Sequence, residues 1–155
     1  MVIDYKTGKS AKYESFPRCD GAADAGTDLT ERGTKLQLPL YALAARQAYG
    51  GAATPVSAYY WFVDEKDTRL GGPVGQPAVT RFHEVLGVLT KGIGDGAFPA
   101  RPGAFDPFYR SFESCSWCPF DRVCSNARDD EWAQIRNDTR VSRYAGLAEP
   151  AGSSG

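Results

Sequence analysis

A chain of 155 residues is long enough for one domain with a real core and short for two independent ones. Its eight Tyr, eight Phe and three Trp favour burial over disorder, and a formal net charge of −1 excludes a global basic field, so any contact with DNA must come from a local site. Met1-Val2-Ile3-Asp4 lacks the basic and apolar regions of a leader, and no run approaches the roughly 18 apolar residues of a membrane span, which together predict a cytoplasmic protein.

In chain order, Val2-Ile3-Asp4-Tyr5-Lys6 is a short β-rich run stopped by Thr7-Gly8-Lys9, and it reads as a strand entering a turn. Residues 10–33 mix Gly, Asp, Ala and scattered charges without apolar periodicity and read as a loop or insertion that adds little to the core. Over 34–49 the apolar positions Leu36, Leu40, Leu43 and Ala44 make a helical stripe ended by Gly50-Gly51. Pro39 requires that helix to begin near Gln37, because deeper inside a helix its ring clashes with the preceding turn. The run over 56–64 is dense in β-branched and aromatic residues and predicts a strand apolar on both faces.

A turn-rich segment extends to about Pro77, after which Phe82, Val85, Leu86 and Leu89 mark a second helix running out at Gly92, Gly94 and Gly96. Residues 98–112, with Pro99, Pro102 and Pro107, read as an extended crossing that leads to the cysteines and to a short helix near 129–136. From about Ala145 the composition predicts a frayed tail. The organisation expected is a domain over 1–140, with an insertion at 10–33 and a cysteine cluster at 115–124, followed by a flexible tail over 141–155.

Three features carry chemistry. On a strand, the period of two puts Asp4 and Lys6 on one face and Tyr5 on the other. A carboxylate can hold Mg²⁺ while a neighbouring ammonium orients an attacking water and offsets charge growing on a phosphate; an isolated Asp-x-Lys also describes an exposed ion pair on an edge strand. Gln37 and Tyr41, four apart on the first helix, share a face and can line a site, or serve as a solvated boundary residue and a snorkelling aromatic. Cys115, Cys118 and Cys124 have C-x₂-C-x₅-C spacing, which in a cytosolic chain points to a metal or Fe–S cluster before disulfides. Cys19 and His83, the lone histidine, are the candidates for a fourth ligand, and neither has a persuasive spacing.

Taken together, Asp4-Tyr5-Lys6-Thr7-Gly8-Lys9, then Gln37-Leu38-Pro39-Leu40-Tyr41, then the cysteine triplet resemble, in order and character, the RecB/AddB-type nucleases of the PD-(D/E)XK superfamily. The resemblance covers most of residues 1–125. It implies an α/β fold, a truncated restriction-endonuclease-like core with a mixed sheet flanked by helices and a cysteine-ligated C-terminal segment. It implies DNA cleavage with Mg²⁺ or Mn²⁺, beside or fused to a helicase that processes double-strand breaks. Asp4 becomes a metal ligand, Lys6 the catalytic lysine, and Gln37 and Tyr41 the helix motif that contacts DNA or supports the lysine. Cys115, Cys118 and Cys124 become three ligands of a [4Fe–4S] cluster.

The family's further acidic ligands and first cluster cysteine would lie ahead of Met1, so the expectation is a partial domain whose catalysis waits on upstream sequence or a partner, with the first strand short of a sheet neighbour. The alternatives are a non-catalytic Fe–S or zinc-binding remnant associated with DNA, and an incomplete product with no independent function.

Overall fold

The computed structural model describes residues 1–19, 27–51, 53–66 and 68–149. The described chain forms two compact units, Met1–Gly87 and the residues from Val88 onward, with the boundary inside a long helix.

The first unit is built on a three-stranded mixed sheet in the order β1-β2-β3. β1 (Val2–Lys6) runs parallel to β2 (Ser57–Phe62), and the connection between them carries helix α1 (Gln37–Tyr49), as a parallel pair requires. β3 (Thr68–Pro73) pairs antiparallel with β2. It falls in the segment expected to be turns. Thr-Arg-Leu-Gly-Gly-Pro has little β propensity, and the strand is held instead by its ladder to β2. Gly71 is required there. Its φ is +140°, and a Cβ on it would stand 2.2 Å from the Ala58 carbonyl oxygen. Pro73 is tolerated at the end of an edge strand, where a missing N–H costs little.

β2 is not buried on both faces. Ala58, Tyr60 and Phe62 are buried, whereas Ser57, Tyr59 and Trp61 alternate with them on a half-exposed face. The buried set packs with Leu38 and Ala42 of α1, with Leu70 and Val74, and with Ala78 and Val79 of α2 (Gln76–Gly94). Each large side chain of this core stabilises the fold by roughly 1.5–3 kcal/mol relative to exposure.

Two expectations about the core are corrected. Leu38, Pro39 and Ala42 form the buried face of α1, while Leu40 is 50% exposed and Tyr41 40% exposed. Residues 37–45 are apolar most of the way round, so spacing alone could not single out the inward face. Pro39 lies in the first turn, where its missing N–H has no intrahelical acceptor to lose. The helix is tied to the sheet at its other end by Arg46, which donates to the carbonyls of Thr54 and Val74.

The second correction concerns 10–33. Its described residues form two short 3-10 turns, Ser10–Tyr13 and Glu31–Gly33, and bury Phe16, Leu29 and Thr30. Tyr13 and Phe16 stack edge-on against Tyr60, at 4.9 and 5.5 Å between ring centroids. Two large aromatics and a leucine reach the core without any periodic pattern because turns, not a regular element, deliver them. Residues 20–26 lie outside the described ones.

In the second unit, the expected extended crossing includes a small hairpin, β4 (Phe105–Asp106) with β5 (Ser111–Phe112). α3 (Arg128–Ile135) follows, and α4 (Ser142–Ala148) stands where a frayed tail was expected. Ala145 and Leu147 are buried, and Ala145 clusters with Trp132 and Val141. Glu149 accepts hydrogen bonds from Trp132 Nε1 at 3.0 Å and Arg101 Nε at 3.2 Å, and lies 3.0 Å from Arg136. Residues 150–155 lie outside the described ones. Among the described residues, no helix is long and apolar enough to cross a membrane.

Candidate active site

β1 delivers Asp4 and Lys6 to the sheet face that α1 covers and sends Tyr5 to the other, where it is 62% exposed and stacks on Trp61 at 5.5 Å. The Lys6 ammonium lies 3.0 Å from Asp4 Oδ2. It donates a hydrogen bond of 2.9 Å to Gln37 Oε1 on the first turn of α1. Lys6 therefore spans two elements that lie 31 residues apart in sequence. Both ion-pair side chains are mostly shielded, at 22% exposure for Lys6 and 15% for Asp4.

The contact between Lys6 and Asp4 is one of charge, without the angles of a hydrogen bond: Asp4 Oδ2 is buried and accepts from no donor among the described residues. Tyr60, the Cα partner of Asp4 across β1 and β2, places its ring 5.0 Å from Lys6 Nζ. Its hydroxyl is also buried and unpartnered. Burial first, and then the neighbouring Tyr13, Asp4, Glu31 and Tyr41, push the Tyr60 phenol well above its ordinary range, so it stays protonated and remains a donor.

Of the residues that the sequence singles out, Asp4, Lys6 and Gln37 are thus brought together. Tyr41 lies one turn beyond Gln37, half-exposed and without a side-chain hydrogen bond among the described residues. Tyr60 was missed. It sits in phase with Ala58 and Phe62 and so reads as core, and only the parallel register with β1, which sequence does not reveal, sets it beside Asp4.

The cysteines are less gathered. Cys115 and Cys118 share a turn closed by the Cys118 N–H donating to the Cys115 carbonyl at 3.0 Å, both half-buried, while Cys124 is exposed. Cys19 is exposed, with its N–H donating to Arg69 O, and His83 is exposed beside Phe82. Among the described residues, no group of three or more His, Cys, Asp or Glu side chains is placed to hold a metal ion. The expected cluster ligand set is therefore not formed in this structure. The second unit also has a cavity of about 430 Å³, lined by Val88, Ile93, Phe98, Val141, Arg143 and Tyr144 among others, and it contains none of the predicted site residues.

A strand carrying Asp-x-Lys, a parallel partner strand and a helix crossing between them set a carboxylate, an ammonium and an amide together on one face of the sheet. The chain matches the PD-(D/E)XK nuclease superfamily over residues 1–125, and it belongs to that superfamily. No curated protein and no solved structure matches it. Nucleases of this superfamily typically use a divalent metal. Asp4 fits one as a ligand, since it offers a shielded carboxylate oxygen with no competing hydrogen bond, and Mg²⁺ commonly takes one or two carboxylates and completes its shell with water and phosphate oxygens.

Proposed function

We propose that this chain is a DNA nuclease domain of the RecB/AddB type that hydrolyses phosphodiester bonds with Mg²⁺ or Mn²⁺ in double-strand-break repair. The observation that carries the reading is Lys6, held between Asp4 at 3.0 Å and Gln37 at 2.9 Å. In hydrolysis a water oxygen forms a bond to phosphorus, the bond to the leaving oxygen breaks, and that oxygen takes up a proton. Bound at Asp4, a divalent cation supplies Lewis-acid activation of water and charge neutralisation. The Lys6 ammonium faces the charge that develops on the phosphate, and Gln37 fixes its direction so that little reorganisation is needed at the moment of reaction. Tyr41, half-exposed on the same helix, suits contact with DNA.

A single carboxylate binds the cation weakly, so full activity calls for further acidic ligands from another segment or from a partner such as a helicase subunit. The test is cleavage of linear duplex DNA with Mg²⁺ or Mn²⁺, by the chain alone and with candidate helicase partners. Asp4→Asn and Lys6→Ala should each abolish it; cleavage that survives both substitutions refutes the site.

The turn that joins Cys115 and Cys118 favours a second reading, a non-catalytic Fe–S or zinc module, in which Cys124 must move to that turn for three thiolates to converge. Anaerobic purification distinguishes the metals, since iron with broad visible absorbance indicates a cluster and zinc alone a structural site. Absence of both metals sinks this reading.

A further inference from the structure

Tyr60 is fully buried in the core of the first unit, and its ring alone would satisfy that core. Tyr13 and Phe16 pack edge-on against the ring, and Ala58 and Phe62 flank it on the same strand face. A phenylalanine would make the same contacts. The hydroxyl adds a polar group that has no hydrogen-bond partner among the described residues, and a buried donor left in that state opposes folding. Its location is specific. Tyr60 and Asp4 are register partners on adjacent parallel strands, and Asp4 Oδ2 is a buried acceptor likewise without a hydrogen-bond partner among the described residues.

One side chain is therefore a donor and the other an acceptor without a hydrogen-bond partner among the described residues, although Lys6 is ion-paired to Asp4. They are not bonded to each other, and Lys6 stands over both, 3.0 Å from Oδ2 and 5.0 Å from the Tyr60 ring centroid. Such a pair matches a small oxygen species held between the two strands, with the phenol donating to it and the carboxylate binding it from the other side.

We propose that Tyr60 is a positioning residue of the site, whose hydroxyl donates to a water molecule held at Asp4 Oδ2 and so fixes the orientation in which the carboxylate meets a divalent cation. The proposal rests on the reading of Asp4 as a metal ligand and adds the second strand to the site. A hydroxyl kept for this purpose costs the fold and serves the ligand, so its removal should separate stability from binding.

The experiment compares the full chain with Tyr60→Phe and Asp4→Asn by urea unfolding and by Mn²⁺ titration, following water proton relaxation. Tyr60→Phe should leave the unfolding midpoint unchanged or raised and weaken Mn²⁺ binding by about tenfold, as the loss of a group that orients a ligand does. Unchanged Mn²⁺ affinity in Tyr60→Phe overturns the proposal, and so does a Tyr60→Phe chain that fails to fold. If Asp4→Asn binds Mn²⁺ as well as the unsubstituted chain, the reading of Asp4 itself fails. If Asp4→Asn loses binding while Tyr60→Phe keeps it, only the role given to Tyr60 falls.

Discussion

The rotation of α1 about its axis decides whether Gln37 can reach Lys6, and two leucines report it. Leu38 is fully buried against the β2 face formed by Ala58, Tyr60 and Phe62, whereas Leu40, two residues on, is 50% exposed. Leu→Ala at a closed site costs about 2–5 kcal/mol through lost transfer energy and a residual cavity. The tight surroundings of Leu38 put it near the middle, at about 3 kcal/mol. For Leu40, half in water and free to leave no cavity, the cost is about 0.5 kcal/mol.

With a urea slope of about 2 kcal/mol/M, these values lower the unfolding midpoint by about 1.5 M for Leu38→Ala and about 0.25 M for Leu40→Ala. Equilibrium unfolding followed by tryptophan fluorescence and circular dichroism measures both. Leu36, Leu40 and Leu43 would be the inward set if apolar spacing governed the helix. A midpoint shift for Leu40→Ala equal to or larger than that for Leu38→Ala would refute the observed rotation, and with it the approach of Gln37 to Lys6.

Gln37→Leu removes the acceptor of the Lys6 hydrogen bond from an exposed position, so cleavage of DNA should fall about tenfold while the urea midpoint stays within about 0.25 M. Gly71→Ala should destabilise the fold by about 2 kcal/mol or more, because the new Cβ collides with the Ala58 carbonyl at a φ that side chains avoid. Glu149→Ala should cost about 1–3 kcal/mol by stranding the buried Trp132 N–H, and the loss should be less than additive with Trp132→Phe. Burial first of all holds the Tyr60 phenol neutral in the fold, while the unfolded chain ionises at about pH 10, so this ionisation leaves stability unchanged below that pH and lowers it as pH rises further. Unfolding measured from pH 8 to 11.5 should therefore fall less steeply for Tyr60→Phe.

What the sequence made legible was local. The span of β1, the start of α1 forced by Pro39, and the shared face of Asp4 and Lys6 all follow from short-range rules of period and proline geometry. The approach of Gln37 to Lys6 depends on a crossover between strands, and the family motif rather than periodicity pointed to it. β3 was illegible because its stability comes from pairing with β2, not from the propensity of Thr-Arg-Leu-Gly-Gly-Pro. Phe16 and Leu29 were hidden because turns carry them inward. Tyr60 was visible as an apolar-phase residue, but its partnership with Asp4 is a matter of register, which no short-range pattern encodes.

The Lys6 ammonium at 3.0 Å from Asp4 makes the resting site self-occupied. Any cation that binds Asp4 competes with a positive charge already there, and Lys6 must give up the carboxylate as the cation arrives. Gln37 offers the ammonium a second partner that does not depend on the carboxylate, through the 2.9 Å bond to its Oε1. On the reading of Asp4 as a metal ligand, the apparent affinity for metal is set by a contest between two cations for one carboxylate. A chain lacking the Lys6 charge should bind metal more tightly, even as it loses the means to use it.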